Sequence, residues 1–362
     1  MIKMKNLDTI DLGRKTGEIY GRYSFGNIYE HLLSSEGIEN LKPILSNDLK
    51  MAGLGDRISE LEILDVGTGR QALTFSLLGA KRVAHYDISK KHVSRFNKIL
   101  DSKYPNLKIT STHQDLCAND LMEKEFDFVY LSGIAQHLSN PSIGLFNCAK
   151  SVKPGGKIWV YFYRSGTFKW LLCQMIRDLI KLEDIDLYFY CSALLNAKGD
   201  LSNMYTSYIM DDFFAPYIHL YPPHNYIQFF NELDFEICGS SHLDPIAKVN
   251  HDSAHHSGVL VFERCTDSAL KINSVSNIME PNSSIDQLDE NLYESNETKK
   301  LILLYKNIKD KLLKNDIPAI RMSFCMSIHK IAAPQYYGGN ELPPDWDSLK
   351  QILEKTNEYL ES

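Results

Sequence analysis

The sequence predicts an α/β fold, a doubly wound and mostly parallel sheet carrying helical additions. Three observations carry that expectation. From Leu61 to about Arg164, short runs rich in β-branched residues alternate with longer amphipathic runs, the rhythm of βαβ units. One apolar run, Glu62-Ile63-Leu64-Asp65-Val66, leads directly into Gly67-Thr68-Gly69 and then into helix-forming residues, a strand–turn–helix passage. The composition, 44% apolar and 23% charged, is that of an ordinary globular chain and excludes a disordered or collagen-like molecule. At 362 residues the chain has room for two domains, or for one with large additions.

Each element has its own warrant. Residues 1 to 60 mix polar and apolar character; Tyr20-Gly21-Arg22-Tyr23-Ser24-Phe25-Gly26 is aromatic and glycine-rich, and Ile28, Leu32 and Leu33 follow at helical spacing. Strands are expected at 62–66, 82–86, 108–112, 126–131 and 157–162, with helices between them near 73–78, 91–100 and 143–152. Five strands with crossovers in so short a stretch make a compact core. From about 165 to 225 the rhythm breaks into an aromatic-rich segment ending at Pro222-Pro223, too long for a simple loop and therefore read as a helical insertion. A helix at 226–233 and strands at 235–239 and 258–263 follow. Residues 265–298 are rich in Ser, Asn, Asp and Glu, cannot bury much, and read as a partly ordered linker. Beyond it, Leu301, Leu304, Ile308 and Leu312 share one helical face, as do Leu349, Ile352, Leu353 and Leu360, with Asp347 as N-cap. No internal repeat is present.

Charge and cysteine usage narrow the function classes. The 39 Lys plus Arg against 46 Asp plus Glu leave a net charge of −7, which argues against a nucleic-acid binder. No run approaches the roughly 18 apolar residues that span a bilayer. The first residues, Met1-Ile2-Lys3-Met4-Lys5-Asn6, lack the apolar core of a secretory signal. The seven cysteines (Cys117, Cys148, Cys173, Cys191, Cys238, Cys265 and Cys325) contain no Cys-x-x-Cys pair and read as core residues in a reducing compartment. A cytoplasmic protein that contacts neither membrane nor nucleic acid is the expectation.

The segment that carries chemistry is Glu62 to Ala72. Gly67 and Gly69 allow a sharp turn and a close approach of ligand to backbone, and the helix that follows offers N–H groups and positive dipole to an anion. The second strand ends at Asp87, where a carboxylate can accept bonds from two ribose hydroxyls. A glycine pair alone is also compatible with a strand–loop–helix turn that holds no ligand. Gly67-x-Gly69-x-x-Ala72 also satisfies the nicotinamide dinucleotide fingerprint, but a carboxylate at Asp65 would repel a pyrophosphate.

The stretch resembles motif I of the class I S-adenosylmethionine-dependent methyltransferases of small-molecule type, with its acid just before the first glycine. Asp87-Ile88 matches the family's acidic end of strand two, and Gln114-Asp115-Leu116 its turn after strand three. Phe126-Asp127-Phe128-Val129-Tyr130 with Ile134-Ala135-Gln136-His137-Leu138 resembles strand four and its His-Leu turn. Val152-Lys153-Pro154-Gly155-Gly156-Lys157 resembles the hairpin entering strand five. The likeness covers about residues 60–165, and 205–263 more loosely. Gln71 stands where many members carry a third glycine, which bears on how closely the turn meets the methionine moiety.

The resemblance implies a Rossmann-like, seven-stranded, mostly parallel sheet with strand seven antiparallel. It also implies S-adenosylmethionine as cofactor and methyl transfer to a small-molecule acceptor. It assigns Asp65 to the methionine ammonium, the Gly67 and Gly69 backbones to the cofactor, Asp87 to ribose, Ile88, Asp115 and Leu116 to adenine, and Ser132 to the methyl end. Methyl transfer needs a nucleophile held in line in a drained site, with a general base when the acceptor is protonated. His137 is the first candidate for that base, against a turn histidine bonded to backbone, and His219 is the second. Tyr163, Arg164, Asp212, Tyr217 and Tyr221 are acceptor-binding candidates, against plain packing of the insertion. His251, His255 and His256 with Asp252 invite a metal reading, but adjacent histidines in an extended lead-in point to opposite faces, so no metal is expected.

The expected organisation is therefore an N-terminal helical lid (1–60), a methyltransferase domain (61–264) containing the insertion, a linker (265–298) and a helical extension (299–362). The extension offers a cap, a homodimer surface or a partner-binding tail. A non-catalytic S-adenosylmethionine-binding protein and an NAD-dependent oxidoreductase are the alternative functions.

Overall fold

The structure is a computed structural model and describes residues 17–18, 33–118, 121–181, 184, 186–187, 191, 210–241, 257–282, 284–287, 293, 295–332 and 345–361. In chain order its longer elements are α1 (Ser35–Met51), β1 (Glu62–Val66), α2 (Arg70–Leu77), β2 (Arg82–Asp87), α3 (Lys90–Lys103), β3 (Ile109–His113), β4 (Phe126–Ser132), α4 (Pro141–Ser151) and β5 (Val152–Tyr163). They continue with α5 (Phe168–Arg177), α6 (Pro223–Asn231), β6 (Phe235–Ser241), β7 (Ser257–Arg264), α7 (Asn296–Asn315), α8 (Pro318–Ala332) and α9 (Trp346–Glu361). The chain divides into two compact units. One comprises 1–163, 216–246 and 257–281; the other comprises 164–215, 247–256 and 282–362.

The first unit is the sheet. Its seven strands run in the order β3-β2-β1-β4-β5-β7-β6, and β7 is antiparallel to both of its neighbours. The expected Rossmann-like architecture, antiparallel seventh strand included, is therefore present. Alternation along β1 builds both faces. Ile63 joins Leu45 of α1, Phe75 of α2 and Phe96 and Leu100 of α3 on one side. Leu64 and Val66 join Leu145 and Ala149 of α4 and Tyr226 and Phe229 of α6 on the other. Helix ends are set by the residues that precede them: Ser34 accepts from Gly37 N, Ser89 from His92 N, and Asn140 from Ile143 N with Pro141 behind it. α1 buries Ile38, Leu41, Leu45 and Leu49, and its buried Asp48 accepts the Tyr130 hydroxyl at 2.7 Å.

The expected boundaries shift in instructive ways. α2 starts at Arg70, ahead of the apolar spacing, because Gly69 in a left-handed conformation is itself its N-cap. β5 starts at Val152, because Val152 already pairs with Phe126 before the glycines are reached. The polar stretch after β7 also contributes to the sheet's core: Val275 and Met279 are fully buried, and the Ser142 hydroxyl donates to both of their carbonyls. Buried Arg264 holds the start of that stretch through the carbonyls of Thr266 and Ser268, and it also reaches the Val152 carbonyl.

The second unit is helical and draws on the insertion and the C-terminal residues together. The Tyr305 hydroxyl of α7 donates to the Met175 carbonyl of α5 at 2.7 Å. Arg321 of α8 is buried against the Leu179 carbonyl and Asp184, and the Phe168 and Trp346 rings meet edge to face at 4.5 Å. All seven cysteines are free. Among the described residues, no helix is long and apolar enough to cross a membrane. Tyr20–Phe25, His251, Asp252, His255 and His256 lie outside the described residues.

Candidate functional site

β1 delivers the chain into the turn at the carboxyl edge of the sheet. Gly67 has φ 132° and Gly69 φ 82°, both left-handed conformations that favour glycine. A Cβ at Gly69 would come within 2.9 Å of the Phe96 ring, so the turn can lie directly on α3 only without one. Gly67 N donates to the Tyr86 carbonyl at 2.9 Å, which extends the β1–β2 ladder one residue into the turn.

Asp65 stands at the base of this turn, fully buried. Its Oδ2 accepts the Ala72 N–H of α2 at 2.9 Å, whereas Oδ1 is buried with no hydrogen-bond partner among the described residues. Burial pushes its carboxyl up to about 7; the Ala72 N–H and the Arg70 charge oppose that shift, and Asp87 adds to it. On the neighbouring strand Asp87 is buried too. Its Oδ1 takes the Ser89 N–H at 2.5 Å and its Oδ2 faces His92 Nδ1 at 3.3 Å. Ile88 is half-buried, and its carbonyl accepts His113 Nε2 at 3.0 Å. Gly17 packs against that same Ile88 carbonyl, which puts this part of the N-terminal segment beside the end of β2.

Beyond β3, half-buried Asp115 closes an Asx turn by accepting Cys117 N at 2.8 Å. The Leu116 side chain belongs to the core while its carbonyl takes Asn147 Nδ2. Ser132, half-buried, ends β4 beside Gly133. The order β3-β2-β1-β4 thus sets Asp115, Asp87, the glycine turn and Ser132 side by side along one edge, around the point where the chain reverses its winding.

The acceptor-side candidates of the same unit gather at the turn after β4. His137 Nδ1 donates to the Tyr217 carbonyl at 2.9 Å, and its ring meets Tyr163 edge-on at 5.9 Å. His219 is fully buried, stacked on Tyr217 at 5.5 Å, and its Nε2 donates to the Leu138 carbonyl at 3.0 Å. The Tyr221 ring borders this cluster at 6.2 Å from His219, and its hydroxyl donates to the Glu280 carbonyl at 2.6 Å. Arg164 and Asp212 belong to the helical unit. Burial lowers the pKa of Arg164, and Asp212 lies 3.6 Å from Lys169. Gln71, at the departure from the family's glycine, is buried in the first turn of α2.

Two buried residues escaped the sequence reading. His85 bridges the turn and β3, and Gln136 is an amide with neither its N–H nor its oxygen partnered among the described residues. A polar ring inside Val83-Ala84-His85-Tyr86 was the available signal for the first.

Residues 64–160 match the family model described as a methyltransferase domain. No curated protein sequence matches the chain. Among solved structures, 1,6-didemethyltoxoflavin-N1-methyltransferase of Burkholderia thailandensis is 12% identical with TM-score 0.38, over 67% of this chain and 86% of that one. Magnesium protoporphyrin IX methyltransferase of Synechocystis PCC 6803 is 14% identical with TM-score 0.38, over 68% and 88%. The [4+2]-cyclase SpnF is 19% identical with TM-score 0.29; the match covers 32% of this chain and 43% of the cyclase's length. The stretch that matches the family model is also the stretch that builds the glycine turn and its flanking acids within the Rossmann-like sheet.

Proposed function

We propose that this protein transfers the methyl group of S-adenosylmethionine to a small-molecule acceptor by in-line displacement. The observation that carries this is Asp65, a buried carboxylate with one unpartnered oxygen at the base of a glycine turn. A buried acid left in that state costs stability unless a cation completes it, and an amino-acid ammonium has the charge and the donors to do so. The same carboxylate disfavours a dinucleotide pyrophosphate at the turn. Asp87, its carboxylate oriented by Ser89 N and His92, would take the ribose hydroxyls. Ile88, Asp115 and the Leu116 backbone would flank adenine, the Gly67 and Gly69 backbones the amino-acid moiety, and Ser132 the methyl end.

When bound, the cofactor supplies a methyl carbon already activated by a sulfonium, so the protein's share is to align the acceptor and exclude water. His137 is our candidate for the group that takes a proton from a protonated acceptor. Its Nδ1–H is committed to the Tyr217 carbonyl, which fixes the tautomer with the lone pair on Nε2. His219 gives its Nε2 proton to Leu138 and so serves to hold the turn that carries His137. Tyr163 and Tyr217 offer the aromatic surface beside it, suited to a small planar or apolar acceptor. For Tyr221, Arg164 and Asp212 the contacts found favour packing roles.

Calorimetric titration with S-adenosylmethionine tests the cofactor half. The wild type should bind, and Asp87→Ala should weaken binding about tenfold or more through the loss of charge-assisted bonds. Absence of wild-type binding, or an unchanged affinity in the variant, would overturn the proposal. Incubation with methyl-labelled cofactor and a metabolite extract tests the acceptor half, because a protein that only binds the cofactor leaves every small molecule unlabelled.

A further inference from the structure

His85 lies on β2 directly opposite Asp65 in the strand register and is fully buried. Its Nε2 is 2.6 Å from the Gly67 carbonyl oxygen, and its Nδ1 is 2.8 Å from the Ser111 hydroxyl on β3. A carbonyl only accepts, so Nε2 carries the proton and Nδ1 receives the hydroxyl of Ser111. Burial favours this neutral ring by holding His85 below its ordinary pKa. Phe96 packs edge-on against the imidazole at 4.9 Å and is the same ring that lies under Gly69.

The bond from His85 decides the orientation of one peptide plane. The peptide that joins Gly67 to Thr68 has glycine on one side, and Gly67, at φ 132°, has no Cβ to oppose a change of that plane, so a bond is needed to hold one orientation. In the one observed, the carbonyl is drawn inward onto His85; in a trans peptide the N–H then points the opposite way. In the flipped orientation a carbonyl oxygen would point outward at the start of α2, where N–H groups otherwise favour an anion.

We propose that His85 is a positioning residue for the carboxylate end of the cofactor: by holding the Gly67 carbonyl inward, it keeps an opposing oxygen out of the place where that carboxylate binds. This rests on the methyltransferase reading and deepens it. The amino-acid moiety brings an ammonium and a carboxylate. Asp65 suits the first, and a glycine turn with its carbonyl withdrawn suits the second.

The test compares two ligands on the full-length protein. S-adenosylhomocysteine has the amino-acid moiety, whereas 5′-methylthioadenosine has the same nucleoside and thioether without it. In His85→Leu, affinity for S-adenosylhomocysteine falls about tenfold, the expected effect of removing one well-made buried bond, while that for 5′-methylthioadenosine stays within about twofold. His85→Gln, which keeps a donor near the Nε2 position, restores S-adenosylhomocysteine binding to within about threefold of wild type. Should His85→Leu not fold, Ser111→Ala, which frees the ring's tautomer, gives a smaller loss confined to S-adenosylhomocysteine. Unchanged S-adenosylhomocysteine binding in a folded variant, or an equal loss for both ligands, overturns the inference and leaves the methyltransferase reading standing. A wild type that binds neither ligand overturns both.

Discussion

The two edges of the sheet carry the same acids in opposite states. At the edge where β1 and β4 begin, Asp127 faces Lys153 at 3.0 Å and accepts Glu62 N at 2.8 Å. Glu62 itself meets Lys153 at 3.0 Å and Lys81 at 3.1 Å, and Arg82 meets Glu125 at 2.8 Å. At the edge where β1 and β2 end, Asp65, Asp87 and Asp115 accept backbone N–H groups, and none of them forms a salt bridge with a lysine or arginine among the described residues. The first arrangement pairs each acid with a lysine or arginine. The second leaves Asp65 Oδ1 buried with no hydrogen-bond partner among the described residues, and on the proposed function it is the edge with something left to bind.

The largest effect expected from this contrast is at Asp65. Asp65→Asn keeps the acceptor for Ala72 N–H and removes the charge, so S-adenosylmethionine affinity should fall by about a hundredfold, the order for a buried charge-assisted pair. The pH dependence carries a sign. With the carboxyl pushed up to about 7, raising pH from 6 to 8 ionises Asp65, and wild-type affinity should rise across that window. Above it, deprotonation of the cofactor's own ammonium, near 8 for an α-amino group, reverses the trend. The variant should lose the rising limb. Stability of the ligand-free protein moves the other way: ionised Asp65 is penalised only by the folded state, so its cost is absent below the usual carboxylate range and grows as pH climbs towards 7. Asp65→Asn should therefore denature no earlier than wild type at pH 8. A variant that binds like wild type at pH 8 would remove Asp65 from the site.

Between the two edges lies a buried pair with a smaller stake. The Tyr130 hydroxyl donates to Asp48 at 2.7 Å and is the favourable influence on a carboxyl that burial otherwise raises. Tyr130→Phe leaves that oxygen without its donor, and unfolding free energy should drop by about 1–3 kcal/mol. Asp48's folded pKa would rise further above its unfolded value, so the loss should be greater at pH 8 than at pH 4. Chemical denaturation at the two pH values measures it, and an equal loss at both would show that the hydroxyl's contribution does not depend on the Asp48 charge.

What the sequence conveyed follows from how local each signal is. The glycine turn, Asp65 and Asp87 are adjacent to strands whose apolar runs are readable in windows of five or six residues, and they emerge where expected along one edge. His85 was missed because its partners, Gly67 and Ser111, are 18 and 26 residues away and become neighbours only through strand register. The grouping of the insertion with the C-terminal helices depends on contacts such as Tyr305 with Met175, 130 residues apart, which no periodicity records. The stretch after β7 reads as polar, yet Val275 and Met279 need only a pre-existing core to bury against.

The smallest effect should be at the neutralised edge. Lys153 is one cation shared by two acids, Glu62 and Asp127, and it holds Glu62 below the usual glutamate range. These side chains remain in contact with water, so screening limits what the network contributes, and Lys153→Ala should cost about 0.5–1 kcal/mol at pH 7. A lowered folded pKa stabilises above the unfolded value and is lost as pH falls through it, so the difference from wild type should shrink below about pH 4. High salt should shrink it as well. S-adenosylmethionine affinity should not change, since the substitution lies at the far end of β1 from the glycine turn. If Lys153→Ala weakened cofactor binding as much as Asp65→Asn does, the two edges would be one electrostatic system, and the division of labour between them would not hold.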